Sequence, residues 1–101
     1  MQIKRLTKVV IGSQTFKIKW DNNRRGGYFD FGKNEIGIGL NTTDDVVFEI
    51  LCHELSEAIH CVLHTRYDRT DVDSDYLFVT DHRQFTTHNA MLSGLIKQFI
   101  K

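Results

Sequence analysis

Four residues within one short stretch, HELSEAIH, have the chemistry to hold an ion and move a proton: His53, Glu54, Glu57 and His60. On a helix, residues i and i+4 share a face, so His53 and Glu57 can grip one metal ion between them. Glu54 then points about 100° away. That is the place from which the acid of an H-E-x-x-H helix works as general base on a metal-bound water. In that pattern the second ligand is a histidine. Here the position is Glu57, giving H-E-x-x-E. A glutamate oxygen is a competent zinc ligand, but its negative charge weakens the Lewis acidity of the ion relative to a second neutral imidazole.

A third ligand has several sources. His60 lies three residues beyond Glu57, and this Glu-x-x-His spacing occurs in carboxylate-rich metal sites of helical bundles. However, His53 and His60 are about 10.5 Å apart along a straight helix axis, so three ligands from one helix do not readily meet at one ion. A ligand from a second helix is expected instead, with His82 at its start as first choice and His88, beside an apolar stripe, as second. The alternative for the whole cluster is a solvated face linked by i,i+3 and i,i+4 hydrogen bonds.

These groups need a long helix beneath them, and residues 41–64 supply it. Val47, Leu51, Leu55, Ala58, Ile59 and Val62 fall on one broad arc, with His53, Glu57, His60 and His64 opposite. Asn41, Thr42 and Thr43 are candidate N-caps, followed by Asp44 and Asp45. Upstream, QTFKIKW alternates cleanly, putting Phe16, Ile18 and Trp20 on one face and Lys17 and Lys19 on the other. The polar run DNNRRGG reads as a loop whose Arg24 and Arg25 solubilise it. In EIGIGL, Ile36, Ile38 and Leu40 share a face and Gly37 and Gly39 the other. Such a glycine face packs closely against a helix, or lines a cleft able to pair with an extended peptide. Downstream, Asp81 and Gln84 have the spacing of a capping box, opening a second helix with Phe85, Leu92, Leu95, Ile96 and Phe99 as its stripe. The four aspartates between Arg66 and Asp75 lack the spaced ligands, glycine and terminal glutamate of an EF-hand loop.

The expected architecture is α+β in one domain. An N-terminal antiparallel meander, with strands at about 3–11, 14–20, 27–31 and 35–40, packs on helices at about 43–65 and 82–100. Composition agrees: 101 residues with 41% hydrophobic content can bury a core. With 13 basic and 13 acidic residues and no basic stripe, nothing draws nucleic acid. No apolar run approaches the length of a membrane span and no leader pattern opens the chain. Cys52 and Cys61 would be about 13 Å apart along one helix, too far to bond, which favours a reducing, cytoplasmic setting.

The stretch LCHELSEAI resembles the active-site helix of zincin-like H-E-x-x-H metallopeptidases. More closely it resembles small phage-encoded proteins that carry HEL-x-EAI after a short β-meander, with a downstream histidine and a final helix. YLFVTDHRQF and MLSGLIKQFI are similar to the C-terminal part of such proteins, and the resemblance spans roughly residues 16–100. It implies His53 as metal ligand, Glu54 as general base and Glu57 at the second-ligand position, and it leaves the third ligand open. Two functions follow as expectations. One is a minimal zinc-dependent peptidase in which His53, Glu57 and His82 hold Zn2+ and residues 35–40 hold an extended substrate. The other is a catalytically inactive zincin-like module that binds protein partners. Either is expected to act as a monomer or small homo-oligomer.

Overall fold

In a computed structural model, residues 2–68 and 75–101 are described. Four strands precede the first helix: β1 Lys8–Ile11, β2 Gln14–Asp21, β3 Gly27–Asp30 and β4 Glu35–Gly39. Helix α1 runs Asp44–Val62, a short hairpin follows (β5 Arg66–Asp68, β6 Tyr76–Phe78), and α2 runs His82–Phe99. This is the α+β arrangement expected from the sequence. Asp71 and Asp73, half of the aspartate set considered for calcium, lie outside the described residues.

The sheet is mixed, with spatial order β1-β2-β4-β3. β1 and β2 form the expected hairpin, with Val9 opposite Phe16. The meander expected beyond it is replaced by an insertion: β4 lies between β2, to which it is parallel, and β3, to which it is antiparallel. The loop after β2 arches over the end of β4. Gly39 N–H donates to Gly26 O (2.8 Å), Leu40 N–H to Asp21 O (2.8 Å) and Asn41 N–H to Arg24 O (3.1 Å). The expected strand over 3–11 is shorter, because Ile3 instead bridges to Ile100 beyond α2.

One face of the sheet carries Val9, Ile11, Phe16, Ile18, Ile36 and Ile38, all buried. Against it lie Val47, Leu51, Leu55, Ala58 and Ile59 of α1, with Leu95 and Phe99 of α2 closing the core. Each of these side chains larger than Ala58 contributes roughly 1.5–3 kcal/mol by leaving water. α1 is thus central, as its wide apolar arc predicts. It starts after Thr43, whose side chain makes no capping bond. It ends at Val62 because His64 adopts a left-handed conformation (φ 59°). His64 N–H then donates to Cys61 O (3.1 Å) and Thr65 N–H to His60 O (2.8 Å), the paired closure of a Schellman motif. α2 opens on the expected capping box, with Gln84 N–H on Asp81 Oδ1 (2.8 Å) and Asp81 N–H on Gln84 Oε1 (3.0 Å). Its stripe departs from expectation at Phe85, which is 55% exposed. No helix among the described residues is long and apolar enough to cross a membrane.

Candidate metal centre

The middle of α1 brings His53, Glu54 and Glu57 together. Each offers a ligand atom, and these atoms lie within 4.8 Å of one another. The i,i+4 geometry does this directly, placing His53 Nε2 3.5 Å from Glu57 Oε2. His53 is exposed, Glu57 half-buried and Glu54 buried, so the group forms a graded path from solvent to the protein interior.

Glu54 is the unusual member. It is 5% exposed, and its Oε1 has no hydrogen-bond partner. A buried unpaired carboxylate is costly. Burial, and next the like charge of Glu57, push its carboxyl up from 4.5 to about 7, against a weaker opposing pull from Arg24 and Arg66. An orphaned carboxylate oxygen beside an imidazole and a second carboxylate fits a divalent cation carrying a water, which would relieve the repulsion between the carboxylates and give that oxygen a partner in the water.

Packing from β3 creates the burial. Gly27 lies over this part of α1, and a Cβ there would stand 2.9 Å from Glu54 Oε2 and 2.6 Å from Ile50 Cγ2. A cavity of about 400 Å3 opens beside it, lined by Gly27, Glu49, Ile50, His53 and Glu54.

The other histidines are placed elsewhere. His82 is exposed at the start of α2. Among the described residues, no group of three or more potential ligands within 4.8 Å includes it. His60 turns from the His53–Glu57 pair toward α2, where its ring stacks on His88 at 4.4 Å between centroids. His60 Nδ1 is 2.7 Å from Thr65 Oγ1, and that hydroxyl donates to His60 O at 3.1 Å. Burial, then the neighbouring His88, lower the pKa of His60, opposed by Glu57. His88 is 8% exposed and pairs through Nε2 with Ser56 Oγ at 2.8 Å. These contacts bind α1 to α2 and to Thr65, three residues beyond the end of α1, a structural duty.

Nor does β4 offer an edge to an extended peptide. Both edges of β4 are paired. A Cβ on Gly37 would overlap the Tyr28 ring at 2.0 Å, and one on Gly39 would meet Gly26 O at 2.3 Å. The glycines admit a ring and an arching loop, and β4 has no free edge with which a substrate strand could pair.

Two basic groups near Glu54 have no signature in the H-E-x-x-E spacing. Arg24 stacks over Tyr28 (4.7 Å), and Arg66 over Tyr76 (3.4 Å) while its Nη1 donates to Cys61 Sγ (3.3 Å). Arg66 is twelve residues from Glu54 in the chain, and only tertiary packing brings its charge into the site's field. An arginine followed at distance by an aromatic hairpin is too common a pattern to mark it. The two cysteines are free.

No family model matches this chain, and neither the curated proteins nor the solved structures contain a significant match.

Proposed function

We propose that the protein is a zinc-dependent hydrolase of minimal metallopeptidase type. The observation that carries this reading is the group His53, Glu54 and Glu57, whose ligand atoms lie within 4.8 Å of one another and whose buried member, Glu54, has an oxygen without a hydrogen-bond partner. His53 and Glu57 hold the ion. Zinc bound there supplies Lewis acidity, acidifying a water and polarising a carbonyl. Glu54 would take the proton from the attacking water and return it to the leaving amine as the peptide bond breaks. His82 is left out of the ligand set. The extended substrate is assigned to β3, the outer strand of the sheet next to Glu54, because an edge strand has backbone groups free to pair.

A second reading is a protein-interaction module of the same fold, with the metal group structural. It is favoured by the apolar side chains exposed on and beside the β5–β6 hairpin: Tyr67, Leu77, Phe78, Val79 and Phe85. Exposed apolar clusters of this kind mark contact surfaces.

Elemental analysis after zinc loading tests the site. One equivalent in the native protein, lost in both His53→Ala and Glu57→Ala, is expected; absence of metal under zinc-replete conditions defeats the proposal. Glu54→Gln then separates the two readings on a peptide library. The hydrolase loses turnover while retaining zinc, whereas the interaction module shows no turnover to lose.

A further inference from the structure

β1 is one edge of the sheet, since it pairs with β2 alone. Ile18 N–H donates to Thr7 O (2.8 Å), which makes Thr7 and Ile18 a hydrogen-bonded pair of the antiparallel ladder. Two residues on, Val9 and Phe16 form the next such pair. The alternate residues, Lys8 and Val10, therefore turn their N–H and C=O groups outward, where no hydrogen bond among the described residues engages them. A free strand edge is a template for a further extended chain.

The two faces of such a chain would meet different surroundings. Opposite residues of adjacent strands share a face, so its side chains across from Val9 and Ile11 would enter the core side, next to α2. A groove of about 270 Å3 lies there, lined by Ile11, Gly12, Ala90, Met91, Gly94 and Leu95, among others. It is open at Gly94, where an added Cβ would meet nothing within 4 Å. Side chains across from Lys8 and Val10 would lie on the outer face, turned away from both helices. On that face Lys8 stands directly opposite Lys17, in a non-hydrogen-bonded pair, the kind whose Cα atoms approach to about 4.5 Å. Both lysines are exposed and neither has an ion pair among the described residues. The acid opposite Lys17 in β4 is Glu35, and it is engaged by Lys19 (3.1 Å) and by the Tyr28 hydroxyl. Like charges directly opposite are destabilising, and an acidic side chain laid beside Lys8 would relieve them.

We propose that β1 is a docking edge for an extended partner segment in which acidic and apolar residues alternate, the acidic side chains beside Lys8 and Lys17 and the apolar ones in the groove against α2. The lysines argue against a second copy of this chain as the occupant, because β1 paired with itself would add two more like charges to the two already there. The edge is separate from the metal group: β2 and β4 lie between β1 and β3, the strand that covers Glu54. It therefore does not rest on the hydrolase reading.

Fluorescence anisotropy tests it with two labelled peptides, Gly-Val-Glu-Val-Glu-Val-Gly and the same peptide with Lys in place of both Glu. The native protein should bind the Glu peptide roughly fivefold more tightly or better, the swing from attractive to repulsive cross-strand pairs. Lys8→Glu, an exposed change, should invert that preference. Gly94→Leu has room for its Cβ and favours the helix; it should fill the groove and weaken the Glu peptide by a similar factor with Tm retained. Amide exchange at Lys8 and Val10 should slow when the Glu peptide binds. His53→Ala should alter none of these results. No binding of either peptide, equal affinity for both, a preference that survives Lys8→Glu, a Glu-peptide affinity unchanged in Gly94→Leu, or unprotected amides at Lys8 and Val10 overturns the proposal. So does a dimer of the protein that protects those two amides without peptide.

Discussion

Gly27 of β3 and Glu54 of α1 meet so closely that a single added carbon would stand 2.9 Å from Glu54 Oε2. The same carbon would be 2.8 Å from Gly37 O and 2.6 Å from Ile50 Cγ2. The backbone oxygen cannot swing aside as a side chain can. Gly27→Ala should therefore cost about 1–3 kcal/mol and displace Glu54, with the zinc affinity set by His53 and Glu57 retained. Urea denaturation and a competitive zinc titration check both effects. An unchanged urea midpoint would show that β3 yields freely, and that Gly27 is not what buries the carboxylate.

Glu54 makes stability depend on pH. Its carboxyl is raised from 4.5 to about 7 in the fold, so between those values the native state keeps a proton that the unfolded chain releases. Stability from this group is thus fully present below about 4.5, falls as pH rises, and is lost once pH passes about 7. Glu54→Gln removes the titrating group. In zinc-free protein its Tm should exceed that of the native protein at pH 8 and converge with it near pH 4.5. Zinc should stabilise the native protein more at pH 8 than at pH 5, since the ion needs the ionised carboxylates. A native Tm difference from Glu54→Gln that is flat across this range would contradict the buried-carboxyl account.

The histidines divide by what surrounds them. His82→Ala should leave the zinc stoichiometry and Tm unchanged, because that side chain is exposed and outside the ligand group. His53→Ala should lose the metal. Zinc loss from His82→Ala, measured by the same elemental analysis, would reinstate the ligand set expected from the sequence.

Ser56→Ala removes the partner of His88 Nε2, 2.8 Å away, leaving a buried polar atom unpaired at a cost of about 1–3 kcal/mol. Chemical denaturation should show that loss with zinc content intact. If zinc content fell with stability, the two faces of α1 would be coupled.

Much of this architecture was legible in the chain. The arc Val47, Leu51, Leu55, Ala58 and Ile59 names the face of α1 that enters the core. The alternation of Phe16 and Ile18 with Lys17 and Lys19 names the buried face of β2. Asp81 and Gln84 mark the start of α2. Local periodicity specifies faces, however, and not neighbours, so the passage of β4 between β2 and β3 left no mark in residues 35–40. The same limit explains the site. Spacing pairs His53 with Glu57, but His60 turns to His88 because a second helix stands there, and Glu54 becomes weakly acidic because Gly27 covers it. Both causes are tertiary.

The position of β4 bears on the order in which the molecule forms. A sheet with order β1-β2-β4-β3 cannot grow by adding each new strand to the one before it. β2 must wait with one row of backbone groups hydrated, and β3 with both, until residues 35–39 arrive between them. Non-local closures of this kind are slow steps. Gly27 sits on the strand that only β4 fastens to the sheet, so the cover over Glu54 is completed with that step. A collapsed species lacking it would keep Glu54 wet and ordinarily acidic. Refolding at pH 6 should accordingly take up a proton in its final phase, and a pH-indicator dye in a stopped-flow experiment would time the completion of the site.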